Sequence, residues 1–185
     1  MALYIAFQKS ADSFIKQIVK TLAGPYVHTD IVIKRNNTHT VYSTHMNSSF
    51  SVTTGDFSDL THDFLMVAVS KEEFGKVVAS CDACVKSRIP YNTQDMILSQ
   101  IPLRNPVEQD LYSSESLFCA QAVVLILRSC LDPKRGLIES LAAVNSRTVS
   151  PSQLYECMAF VCASRNANQV LEQRLRSCVL HGFLD

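Results

Sequence analysis

The chain has 185 residues, 47% of them hydrophobic and 18% charged, with 17 Lys and Arg against 17 Asp and Glu. That is enough apolar material for a globular domain with a substantial core, and too much for a disordered chain. A formal net charge of zero gives no general pull toward nucleic acid or an anionic membrane surface, and no apolar run reaches the length of a bilayer span.

Met1 to Phe7 lacks the basic start of a signal peptide and reads as a first strand. Ser10 to Leu22 is helical in pattern, with Phe14, Ile15, Ile18, Val19 and Leu22 on one face and Gly24-Pro25 as the stop. Tyr26 to Lys34 and His39 to Met46 form a hairpin around Arg35-Asn36-Asn37-Thr38. Phe50 to Thr54 and Asp63 to Val69 are two further strands. Ser70 and Glu73 have capping-box spacing and open a helix to about Ser87. Ile89 to Asp110 holds three prolines and is irregular, with one helical turn near Gln94 to Ser99. Polar Ser113-Ser114-Glu115-Ser116 then runs into a strongly apolar helix, Leu117 to Arg128, that stops near Leu131-Asp132-Pro133. Gly136 to Ala143 is a short helix. Ser150-Pro151-Ser152-Gln153 is a second capping box with proline at the first helical position, and a last helix spans Asn168 to Leu180.

This order predicts a single α+β domain over 1–185, a small antiparallel sheet packed against helices. A histidine strand lies near 26–34, an apolar helix near 116–131, and C-terminal helices within 150–180.

Seven cysteines, at 81, 84, 119, 130, 157, 162 and 178, fall mostly in helical segments. An odd count outside loops argues against a disulfide framework and for a reducing compartment, the cytoplasm or nucleus. Cys81-Asp82-Ala83-Cys84 has the C-x-x-C spacing but sits late in an amphipathic helix. No second ligand pair stands at zinc-site spacing, so core packing explains it.

Cys119 is different. Ser114 or Ser116 can cap its helix, which places the thiol in the first turn. There the unpaired N–H groups and the positive end of the helix dipole favour an anion, and thiolate is the nucleophilic form. Taken alone, Cys119 also reads as a small buried hydrophobe. A histidine decides between the two, and His28 has the right context. It sits early in a strand with Asp30 two residues on, so alternation puts both on one face. A carboxylate there fixes the imidazole tautomer and favours the imidazolium.

Over roughly residues 25 to 160, on a few short stretches, the sequence resembles a known family. Val27-His28-Thr29-Asp30-Ile31-Val32-Ile33 and Val41-Tyr42-Ser43-Thr44 resemble its histidine strand and the next strand. Phe118-Cys119-Ala120-Gln121-Ala122-Val123 resembles its nucleophile helix, and Ser150-Pro151-Ser152-Gln153-Leu154-Tyr155 the helix start that follows. The family is the circularly permuted papain-like cysteine hydrolases, a branch of the NlpC-type superfamily. It includes lecithin:retinol acyltransferase-like enzymes and small bacterial and viral cysteine peptidases.

The resemblance implies Cys119 as nucleophile and His28 as general base, in a cytoplasmic thiol hydrolase that needs no cofactor or metal, and its viral members suggest a viral origin. Its substrates would be peptides, isopeptides or other acyl compounds. Members place Glu, His or another polar residue on the strand after the histidine strand. This chain offers Ser43, Thr44, His39 or His45 there and no carboxylate. Asp30 is therefore the first candidate for the orienting group and His45 the second. Gln121, Tyr26 and Ser43 are the candidate substrate-binding residues. Two residues along a helix turn Gln121 about 200° from Cys119, which favours a supporting role for it. Tyr26 and Tyr112 can line the cleft or simply pack. Two further functions stay open: a catalytically weak scaffold used for protein interaction, and an acyltransferase or a lipid or amide hydrolase.

Overall fold

A computed structural model describes residues 1–9, 24–36, 38–55, 61–98, 111 and 115–161. The helices expected at 10–22 and 168–180, and Tyr112, lie outside these residues.

Five strands form one antiparallel sheet: β1 (Ala2–Gln8), β2 (His28–Arg35), β3 (Thr38–Ser43), β4 (Ser51–Gly55) and β5 (His62–Val67), in the order β4-β3-β2-β1-β5. The β2–β3 hairpin turns at Asn36, whose φ of +54° is a conformation that Asn tolerates better than most side chains. Period-two alternation divides the sheet. Leu3, Ile5 and Phe7 of β1, Ile31 and Ile33 of β2 and Tyr42 of β3 face the helices and join the main core. Ala6, Val32 and Val41 make a smaller cluster with Tyr4 and Phe64 on the other face.

Among the described residues there are five helices: α1 (Lys71–Lys86), α2 (Thr93–Leu98), α3 (Cys119–Cys130), α4 (Gly136–Ala142) and α5 (151–161). None is long and apolar enough to cross a membrane. Both expected capping boxes form. The Glu73 N–H donates to Ser70 Oγ at 3.1 Å and the Ser70 N–H to Glu73 Oε2 at 2.7 Å. The Gln153 N–H donates to Ser150 Oγ at 3.2 Å and the Ser150 N–H to Gln153 Oε1 at 2.9 Å.

The central element is α3. Ten of its twelve residues are buried, from Cys119 through Leu127 together with Cys130, so it packs on nearly every side. It lies on β2 with α1 and α4 beside it.

Its start corrects the sequence expectation. The helix begins at Cys119, with Phe118 and not Ser116 at its N-cap position, while Ser114 lies outside the described residues. The reason is a long-range pairing. The Leu117 N–H donates to the Pro90 carbonyl and the Asn92 N–H to the Leu117 carbonyl, both at 3.0 Å, which holds the chain extended up to Phe118. Gln121 serves the end instead, its Oε1 accepting from the Phe118 N–H at 3.4 Å. A side-chain cap contributes about 1 kcal/mol, whereas each buried Leu or Ile contributes about 1.5–3 kcal/mol. Packing therefore sets where this helix begins.

Candidate active site

His28 is the first residue of β2 and Cys119 the first of α3. Laying α3 on β2 brings the two together, with the imidazole and thiol close enough to interact. His28 is 4% exposed, Asp30 5% and Cys119 3%, so the centre is shielded from bulk solvent.

The other side of the imidazole is held by a polar network. His28 Nε2 lies 2.9 Å from Asp30 Oδ1 and 3.0 Å from Ser43 Oγ. The Ser43 hydroxyl donates to Asp30 Oδ1 in a short hydrogen bond and lies 3.0 Å from His45 Nε2. With Nε2 so engaged, Nδ1 is the ring nitrogen left to exchange a proton with the thiol. His45 is exposed and stacks on His28, centroids 4.6 Å apart and planes at 16°. The network thus runs from the buried thiol to the surface.

Burial alone would lower the His28 pKa. The Asp30 carboxylate and the Cys119 sulfur outweigh it, and the imidazole is held well above its ordinary value. Asp30 mirrors this. Burial would raise its pKa, but the His28 imidazolium and the hydrogen bonds from His28 and Ser43 hold it below the usual carboxylate range.

Tyr91 completes the site, and sequence reasoning missed it. Its segment is a strap. The Phe50 N–H donates to the Ile89 carbonyl at 2.8 Å and the Tyr91 N–H to the Ser48 carbonyl at 3.0 Å, and the Leu117 pairing pins the far end. The strap brings the Tyr91 hydroxyl close enough to Cys119 to interact with it. Burial, and next the Cys119 sulfur, push the Tyr91 pKa up, so the phenol stays an O–H donor at any working pH. The only local hint was an aromatic residue after Pro90. The contact itself depends on pairings across tens of residues.

The candidate triad Cys119, His28 and Asp30 is brought together. Of the candidate substrate-binding residues, Ser43 sits in the histidine network, while Gln121 and Tyr26 are held elsewhere. Gln121 is fully buried and spent on the helix end. Tyr26 packs against Phe7 and Tyr155, with ring centroids 5.6 and 4.4 Å away, and donates to Asp63 Oδ2 at 2.5 Å. Both side chains are thus engaged within the fold, Gln121 at the helix start and Tyr26 between Phe7, Tyr155 and Asp63.

His28, Asp30 and His45 also offer three metal-ligand atoms within 4.8 Å of one another. Imidazole nitrogens bind a metal along lone pairs that lie in the ring plane. Two rings stacked at 16° direct those lone pairs side by side, not toward one point, so the arrangement suits a hydrogen-bond relay better than a chelate. The C-x-x-C cysteines, Cys81 and Cys84, are buried on the inner face of α1, as core packing predicts.

The chain matches no family model, no curated protein and no solved structure.

Proposed function

We propose that the chain is a thiol hydrolase of the cysteine-peptidase type, with Cys119 as nucleophile, His28 as general base and Asp30 as the group that orients His28. One observation carries this reading. A thiol at the first position of a core helix sits beside an imidazole whose far nitrogen is held by a buried carboxylate.

In this mechanism His28 takes the Cys119 proton and the sulfur attacks an acyl carbonyl. The Cys119 backbone N–H, one of those that a helix start leaves without an intrahelical partner, and the Tyr91 O–H donate to the oxyanion. The imidazolium then protonates the leaving group. A thioacyl enzyme remains and passes to water or to an acceptor amine or hydroxyl. Asp30 stabilises the imidazolium and fixes its tautomer. The papain-like resemblance supports the same assignment and extends it to peptide, isopeptide or lipid acyl substrates in a reducing compartment.

A second reading rests on the 3% exposure of Cys119: a papain-like scaffold used for protein interaction, whose thiol substrate does not reach. Intact-mass measurement on a panel of activated esters and peptide amides separates the two. The enzyme reading predicts an acyl adduct on Cys119 that is absent from Cys119→Ser. If no member of the panel leaves an adduct or is turned over, the scaffold reading stands.

A further inference from the structure

Cys119 is 3% exposed, and the gap beside it, among Thr29, Ile31, Phe50 and Ala122, has no room for a water. An attacking sulfur must stand about 3–3.5 Å from the carbon it attacks, so some neighbour of the thiol has to move before an acyl group reaches it. The neighbours differ in what holds them. β2 is buried from residue 28 to 33 and pairs with all seven residues of β1. α3 is buried on nearly every side. Moving either opens the core.

The strap, residues 89–92, is different. Pro90 is exposed, and Ile89, Tyr91 and Asn92 are half-buried, so this is surface chain. Its pairings, Ser49 with Pro90 and Tyr91 with Leu117, are isolated bridges, not ladders. Four backbone hydrogen bonds of 2.8–3.0 Å span them, and a longer one of 3.4 Å runs from the Ile89 N–H back to the Cys84 carbonyl. The two ends of the strap are also unlike. Asn92 Oδ1 accepts from the Asp95 N–H and Arg147 grips Asp95, which pins that end to α2. At the other end Arg88 has φ +49°, a left-handed conformation that is costly for a residue with a side chain. A swing about Arg88 leaves α2 in place and returns Arg88 to ordinary backbone.

We propose that residues 89–92 are a hinged lid over Cys119, which swings out about Arg88 to admit substrate. As it settles back, it returns the Tyr91 hydroxyl to the reacting group. The inference rests on Cys119 being the reactive group of the proposed function and says what admits substrate to it. Its test reads access to the thiol, not acyl transfer, so the lid can fail while an acyl-enzyme still forms, and can hold where none does.

The Ser49–Pro90 bridge offers a lock. The two residues face each other between the Phe50–Ile89 and Tyr91–Ser48 hydrogen bonds. That is the non-hydrogen-bonded kind of antiparallel pair, with Cα atoms about 4.5 Å apart, which a disulfide can span. In oxidised Ser49→Cys/Pro90→Cys, iodoacetamide should label Cys119 at least about ten-fold more slowly than in the same protein reduced, beyond any change in wild type carried through the same oxidation. A locked form labelled as fast as the reduced one overturns the inference. Hydrogen exchange on wild type decides the matter if the lock does not form. The amides of Phe50, Tyr91, Asn92 and Leu117 should exchange at least about ten-fold faster than those of Val124 and Ile126 in α3, through an opening that mild denaturant leaves unchanged. If the four exchange only as slowly as α3, the strap opens only when the fold does, and the lid is overturned.

Discussion

Asp30→Asn is expected to slow formation of the Cys119 acyl-enzyme by about 10⁴-fold, the scale on which an orienting carboxylate acts in other nucleophile–histidine centres. The amide matches the carboxylate in shape and can still meet the imidazole, so the fold should survive. The charge is what goes. Without it, burial is the dominant influence on His28, and the ring is left neutral in a shielded site.

The same substitution changes the dependence of stability on pH. His28 is held above its ordinary value of 6.5, so its contribution is complete below about that pH and fades as the pH rises through the raised folded value. Asp30 is held below its ordinary value of 3.8, so its contribution is complete above that pH and fades as the pH falls through the lowered folded value. The pair therefore stabilises the fold most between about pH 4 and 6.5. Thermal melts of wild type should peak in that window, and those of Asp30→Asn should be flatter across it. A variant with wild-type acylation and the wild-type profile would remove Asp30 from the site.

Arg147→Met is expected to lower stability by about 3 kcal/mol, which for a chain of this size is a fall in Tm of about 10 °C. Arg147 grips Asp95 from two nitrogens, Nε to Oδ2 at 2.7 Å and Nη2 to Oδ1 at 3.0 Å. Asp95 is 4% exposed, and its backbone N–H is taken by Asn92 Oδ1 at 2.8 Å. Removing the guanidinium strands a buried carboxylate, and that penalty exceeds the worth of the pair itself. The comparison that isolates it is Asp95→Leu/Arg147→Met. With both charges gone, most of the loss should be recovered. If the double variant is as unstable as the sum of the single ones, the buried charge is not the cause. The pair sits just past the strap, so the single variant should also disturb the Tyr91 contact with Cys119.

Much of this arrangement is legible in the sequence wherever local rules act. The Ser70–Glu73 and Ser150–Gln153 caps follow from spacing alone, as do the β2–β3 turn and the shared face of His28 and Asp30. What local rules miss is set by register and by pairing at a distance. Ser43 meets Asp30 because β2 and β3 pair Ile31 with Tyr42, which sequence alone leaves open. The first turn of α3 starts at Cys119 because Leu117 is bound to Pro90 and Asn92. The same pairing delivers Tyr91, from a stretch whose prolines signal only irregular chain. Gln121, matched to a motif, turned out to serve the helix end, as its 200° offset from Cys119 had favoured.

The central claim is that Cys119 and His28 act as a pair, and site-resolved alkylation of the native chain across pH, wild type beside His28→Ala, tests it most directly. The prediction is that iodoacetamide labels Cys119 about 10²-fold faster than Cys84 or Cys130 at a pH of about 6, and that His28→Ala abolishes this selectivity. A Cys119 that reacts no faster than Cys130 in wild type, or just as fast without His28, would contradict it.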